Sequence, residues 1–280
     1  MPGVAGVAKA IVRLRHGLRP LYWRLRFRVL NAPWPRRLSL ARKLSRRLEG
    51  TTCSVCGAGN VRAITFFSER RIEKCFCTSC QHIFSRHLRR DVDKAAALFA
   101  YDQPNEQYDG QRRLQIEAMR RHGGERGRFL DFGVGGNLGI AAELRRRYPG
   151  QEFSAADLYA SDSPWYLQLY SSDLATGRFD GISSNAVIEH LDNTLEAWRY
   201  LNALLRPVAE GGGLMLHAFP SQLVEDLDHW AIKIASHECL FSPASLALVC
   251  GATGFEHLGW RYLAEVQHPV HVFRKVRDLA

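Results

Sequence analysis

The sequence predicts an α/β fold: a doubly wound, mostly parallel sheet with helices on both faces, preceded by a small cysteine-rich module and a basic helical arm. Three observations predict it. From residue 128 onward, apolar strand-like runs alternate with helical ones, the pattern of βαβ units. Phe129-Leu130-Asp131-Phe132-Gly133-Val134-Gly135-Gly136-Asn137-Leu138-Gly139 reads as a strand, a tight turn and a helix N-terminus. Five of the seven cysteines lie between residues 53 and 80.

Positive charge dominates the first segment, residues 1–50. It carries thirteen Lys or Arg against one acid, Glu49, so +12 of a net +10 for the chain, and the rest is −2. Ile11, Leu14, Leu18, Leu21 and Leu25 recur at helical spacing, interrupted by Gly17 and Pro20. After Pro33-Trp34-Pro35, a second stripe of Leu38, Ala41, Leu44 and Leu48 opposes Arg42, Lys43, Arg46 and Arg47. Basic amphipathic helices edged by Trp23 and Trp34 suit an anionic membrane surface. A helical arm packed on the main domain, an organellar transit peptide and a nucleic-acid arm remain alternatives.

Residues 51–90 form the cysteine module. Cys53-Ser54-Val55-Cys56 and Cys77-Thr78-Ser79-Cys80 are paired Cys-x-x-Cys knuckles, which put four thiolates around a structural tetrahedral Zn2+. The runs 62–67 and 72–76 between them read as a hairpin, and Cys75 is the spare that points away from the metal. Odd count and paired spacing argue for a reducing compartment rather than a disulfide framework. No apolar run approaches the roughly 20 residues that span a bilayer, and no secretory signal is visible. The expected location is therefore cytoplasmic, with a peripheral position at the inner face of the membrane if the arm binds lipid.

Residues 91–280 form the main domain. Entry helices are expected over 91–121, at 91–100 and 105–121, with Tyr101 and Tyr108 on the approach to a ligand. Strands follow at 128–132, 152–156, 179–184, 212–218, 256–263 and 267–275, and helices at 138–147, 193–205 and 242–253. Glycines after the first strand let the backbone approach a ligand closely. The second strand ends in Asp157, where a nucleotide-binding fold places a carboxylate on ribose hydroxyls. Asp131, Asp157, Asn185 and His217 all fall at strand ends of the side where such sheets bind ligands.

These motifs together resemble the class I, Rossmann-like S-adenosylmethionine-dependent methyltransferases. Asp131-Phe132-Gly133-Val134-Gly135 is similar to their first motif, and Val187-Ile188-Glu189-His190-Leu191 to their fourth-strand exit. Leu204-Leu205-Arg206-Pro207 with Gly211-Gly212-Gly213 resembles the turn before their fifth strand, and Phe241-Ser242-Pro243-Ala244-Ser245-Leu246 with Gly254-Phe255 their late helix. The resemblance covers about residues 105–277, with Asn137 where many members carry a third glycine. It implies a seven-stranded-type sheet and S-adenosylmethionine as cofactor. Gly133, Gly135 and Gly136 would approach the methionine part, Asp131 its ammonium, Asp157 the ribose, and Asp173 the adenine amino group, with Asn185 nearby.

Methyl transfer is an in-line displacement, so a base matters only where the nucleophile carries a proton. His190 is the first candidate base, and Glu189 could orient it or cap the next helix; His217 and His237 are second choices. His190 could equally serve only to hold a neighbouring loop. No Asn-Pro-Pro-aromatic sequence surrounds Asn185, which favours oxygen or carbon acceptors over exocyclic amines. The expected acceptor is a small molecule, a sugar or a lipid-linked intermediate. An RNA methyltransferase carrying a zinc ribbon is the alternative, disfavoured by the −2 balance outside the arm.

Overall fold

The structure, a computed structural model, describes residues 44–67, 71–85, 106–123, 126–134, 139–157, 166–168, 174, 176–191, 193–220, 230–234, 236–261 and 268–279. The arm over 1–43, the helix expected at 91–100, and Tyr101, Gly135, Gly136 and Asp173 lie outside the described residues. Residues 44–280 belong to one compact unit.

The first sheet is antiparallel and has five strands in the order β1 (Leu44–Arg47), β2 (Val61–Phe67), β3 (Arg71–Cys77), β4 (Ile83–Ser85) and β10 (Cys239–Leu240). The hairpin expected between the knuckles is β2–β3. The helical reading of the second arm stripe fails over 44–47, where the chain pairs with β2 instead. The spacing explains the error. Leu44 and Leu48 share a face at a period of 3.6 and also at a period of 2, so i,i+4 alone does not separate helix from strand. An unpaired β2 edge then decides for the strand. Leu48, Val61, Ala63, Cys75 and three knuckle cysteines make this sheet's core.

The second sheet has seven strands in the order β11 (Phe255–Arg261), β12 (Val270–Lys275), β9 (Leu214–Ala218), β8 (Gly181–Asn185), β5 (Arg128–Phe132), β6 (Glu152–Asp157) and β7 (Tyr166–Gln168). Its pairs are parallel from β9 to β7, and β12 runs antiparallel to both β9 and β11. Strand alternation gives each face its own core. Phe129 packs with Ile116 and Met119 of α1 (Glu106–Gly123) and with Ile140 and Leu144 of α2 (Gly139–Arg147). Leu130 and Phe132 pack on the other face with Trp198 and Leu201 of α3 (Thr194–Leu204) and Leu246 and Val249 of α4 (Pro243–Thr253). The helix ends are those the sequence marks. Asn193 Oδ1 accepts the Glu196 N–H, Ser242 forms a capping box with Ser245, and Gly254 closes α4 in the left-handed region.

The two sheets are joined by more than chain connection. β10 leaves the larger domain to pair with β4. Ser242, capping α4, also donates through Oγ to the Cys80 carbonyl at 2.8 Å. His82 is buried between Phe84 and Phe241, with Nδ1 donating to the Leu240 carbonyl at 3.1 Å. Lys74, buried in β3, donates to Ser85 Oγ and to the His237 carbonyl. No helix among the described residues is long and apolar enough to cross a membrane.

Candidate active site

In the larger sheet the chain runs outward from β5 through β6 to β7, then crosses back to β8 and β9 on the other side of β5. The carboxyl ends of β5 and β8 are therefore the switch point, where ligands bind in open α/β sheets. Two backbone features stand there. Gly133 has φ +72°, and a Cβ on it would come within 2.6 Å of both Val187 methyls, so the turn requires glycine. Ala186, leaving β8, has φ +53°, a conformation that costs a non-glycine residue about 1 kcal/mol and is held here by its N–H on the Ala218 carbonyl.

The polar residues named from sequence fall at these ends. Asp131 is buried, and its Oδ2 receives Arg112 Nη2 at 2.6 Å and Nε at 3.2 Å. Asp157 ends β6 and is half-buried. Asn185 ends β8; its Nδ2 donates to Gln111 Oε1 at 3.2 Å, and its buried Oδ1 has no partner among the described residues. The Gly133 N–H donates to the Ala156 carbonyl at 2.8 Å, so this glycine serves the turn with its conformation rather than offering an amide. Two acids on adjacent strand ends and an amide oxygen left open fit a ligand that carries an ammonium and a diol.

Sequence reasoning missed what α1 contributes. Arg112 faces Asp131, Gln111 holds Asn185 and the His268 carbonyl, and Gln115 Nε2 donates to the Ser184 and Leu216 carbonyls at 3.0 Å each. These residues sit on a helix whose sequence looks merely polar. The signal was their spacing, since 111, 112 and 115 share one face.

His190 and Glu189 occupy a short 3-10 turn, Ile188–His190, directly after β8. Glu189 is buried, and burial raises its carboxyl to about 8. His190 Nδ1 donates to the Ser236 carbonyl at 2.8 Å, so the neutral ring keeps its lone pair on Nε2. The structure brings His237 to it, the ring centroids 4.8 Å apart and edge-on. His217 takes no part: it is buried under the sheet with Nδ1 on Ser184 Oγ at 2.5 Å and its ring against Trp198 and Phe273.

Burial holds His217 down to about 3, and burial followed by His257 and His217 does the same to His271. Both values lie below the ordinary 6.5, so the stability they represent is present above pH 6.5 and lost as pH falls toward 3. Each should remove about 1.4 kcal/mol between pH 7.5 and 5.5, one pH unit below the unfolded value. Urea midpoints at the two pH values check this, and His217→Gln should shrink the drop by about that amount. An unchanged drop in the variant would show that His217 does not stay neutral.

The four knuckle cysteines converge, with Cys53 and Cys80 sulfurs 3.6 Å apart and Cys56 and Cys77 sulfurs 3.5 Å apart. A tetrahedral ion with Zn–S bonds of about 2.3 Å needs sulfurs about 3.8 Å apart, so the cluster is compatible with zinc. Burial pushes Cys53 up to about 12 and Cys80 further, so without a cation these thiols stay protonated. Cys75 is buried in the ribbon core and stands outside the cluster.

The model of a methyltransferase domain matches residues 84–258. No curated protein gives a match by sequence. Among solved structures, the complex between the Haloferax volcanii Trm112 methyltransferase activator and a provisionally assigned methyltransferase aligns at TM-score 0.50 and 14% identity, over 68% of this chain and 100% of that one. The CurJ carbon methyltransferase aligns at 0.44 and 16% over 65% of this chain, which spans 58% of that chain. The mitomycin 7-O-methyltransferase MmcR aligns at 0.43 and 12%, over 60% and 54%. At 14% identity the first of these speaks for fold alone. The domain match takes in the switch point, both flanking acids and the turn carrying His190, and it spans more than half of the sequence: the chain belongs to the methyltransferase domain family.

Proposed function

We propose that the protein is an S-adenosylmethionine-dependent methyltransferase acting on oxygen or carbon of a small-molecule, sugar or lipid-linked acceptor. The observation that carries the reading is the pair of acids at the β5 and β6 ends beside a turn that only glycine fits. Asp157 would hold the ribose hydroxyls, and Asp131, steadied by Arg112, would face the ammonium. The bound donor supplies an electrophilic sulfonium methyl. The chain's own work is to align the acceptor, exclude water and take a proton where the nucleophile is a hydroxyl. His190 suits that last task because its Nδ1 is fixed on a carbonyl, which leaves Nε2 basic.

Asp157→Ala should weaken donor binding at least about tenfold, the scale of one lost charge-assisted contact at about 1.5–3 kcal/mol. Calorimetry with equal affinity for both proteins would remove Asp157 from the ribose. The acceptor class is tested by incubating the protein and radiolabelled donor with separate lipid, glycan and RNA extracts. Label in the lipid or glycan fraction supports the proposal, and label confined to RNA reverses it.

A further inference from the structure

Glu189, His190 and His237 are brought together by two segments far apart in sequence. Each offers one ligand atom, and these atoms lie within 4.8 Å of one another. The Glu238 N–H donates to the Glu189 carbonyl at 2.6 Å, which staples the β8 exit turn to the segment leading into β10. We propose that this triad is a second metal site, distinct from the cysteine cluster, for a divalent transition-metal ion.

Three features carry the inference. The first is Glu189, buried, with neither carboxyl oxygen partnered among the described residues. A buried acid without hydrogen bonds is expensive, and coordination of a cation removes the cost. The second is the hydrogen bonding of both imidazoles. His190 Nδ1 donates to the Ser236 carbonyl and His237 Nδ1 to the Ala231 carbonyl, each at 2.8 Å. A carbonyl only accepts, so both neutral rings present lone pairs at Nε2. Metal-bound histidines are oriented in this way, their second nitrogen tied to a carbonyl. The third is spacing. Ligands about 2.1 Å from an ion stand about 3.0–3.4 Å apart in cis-octahedral or tetrahedral arrangement, so modest side-chain rotations close the site.

The donor set selects the ion. Two imidazoles and one carboxylate suit Zn2+, Fe2+, Co2+ or Ni2+, whereas Ca2+ and Mg2+ prefer oxygen throughout. Lys74, the neighbouring cation, donates to the His237 carbonyl and to Ser85 Oγ, and its charge helps to keep the His237 ring neutral, the form that ligates a metal. Three protein ligands leave a fourth position open, as in catalytic rather than structural sites. On the methyltransferase reading, that position would take an oxygen of the acceptor, and His190 would then be a ligand rather than the base. Metal binding itself stands apart from that reading.

Cobalt distinguishes the two sites. Full-length protein with its cysteine cluster loaded with zinc is titrated with Co2+ alone. The expected result is one further ion per chain, with visible ligand-field bands and no thiolate-to-cobalt charge transfer. Glu189→Gln and His237→Ala should each weaken this binding at least about tenfold, while retained zinc reports that the fold is intact. Glu189→Gln nearly preserves shape, so it decides the matter if His237→Ala loses its zinc. Absence of a second ion, charge-transfer bands showing exchange into the cysteine cluster, or unchanged binding in Glu189→Gln would each overturn the site.

Discussion

Replacing Cys77 by serine is expected to abolish zinc binding, whereas Cys75→Ser should keep about one zinc per chain. Both sulfurs are buried in β3, two residues apart, but only Cys77 belongs to the converging set. In small zinc-dependent domains the ion contributes about 10–16 kcal/mol of apparent folding free energy. Cys75→Ser costs only the burial of a hydroxyl, about 1–3 kcal/mol. The damage from Cys77→Ser should extend beyond the ribbon. Lys74 and Ser85 hold the segment of His237 and Glu238, and the Cys80 carbonyl receives the Ser242 hydroxyl at the start of α4. Elemental analysis of protein purified without chelator, under reducing conditions, reads the metal, and thermal melting reads the fold. Zinc retained in Cys77→Ser, or absent from the unmodified protein, would remove the ribbon assignment.

The larger sheet was legible in the sequence because its strands are apolar runs bounded by glycines and acids. β5, expected at 128–132, is found there, and α4, expected at 242–253, differs by one residue at its start. β7 was not read, since three residues at a sheet edge carry too little pattern. β10 escaped for a different reason. Two residues become a strand only because β4 is there to receive them, and that is a tertiary fact. The same limit applies at the site. The Gly133 turn and the strand-end acids announce themselves, because local geometry dictates the residue type. The approach of His237 to His190 is a contact across 46 positions, from His190 to Ser236, with α3 and β9 between them, and nothing in either segment encodes it. The hairpin reading of 72–76 carried no sign that Lys74 is buried, and its burial depends on the His237 carbonyl that the larger domain supplies.

Arg112→Met is expected to destabilise the protein by about 3–5 kcal/mol, the scale for removing one partner of a buried ion pair. The pair qualifies as buried: the side chains of Arg112 and Asp131 are 9% and 3% exposed, with two N–H donors on one carboxylate oxygen. Methionine keeps most of the length and the apolar stem but leaves Asp131 without the guanidinium it faces. For a folded unit of this size, about 2–4 °C accompanies each kcal/mol, so the melting temperature should fall by about 6–20 °C. Arg113→Met, one position along the same helix, is the control. Arg113 pairs with Glu143 at 2.7 Å, but the two are 38% and 36% exposed, and such surface pairs contribute at most about 1 kcal/mol. Adding Asp131→Asn to Arg112→Met should recover part of the loss, because no charge is then left facing a missing partner. Calorimetric melts of the three variants read the series directly. Equal shifts for Arg112→Met and Arg113→Met, or no recovery in the double variant, would show that the ion pair does not organise the β5 end. Donor affinity adds a second readout. If Arg112 acts by holding Asp131 toward the ligand, Arg112→Met weakens donor binding at temperatures where it remains folded, and Arg113→Met does not.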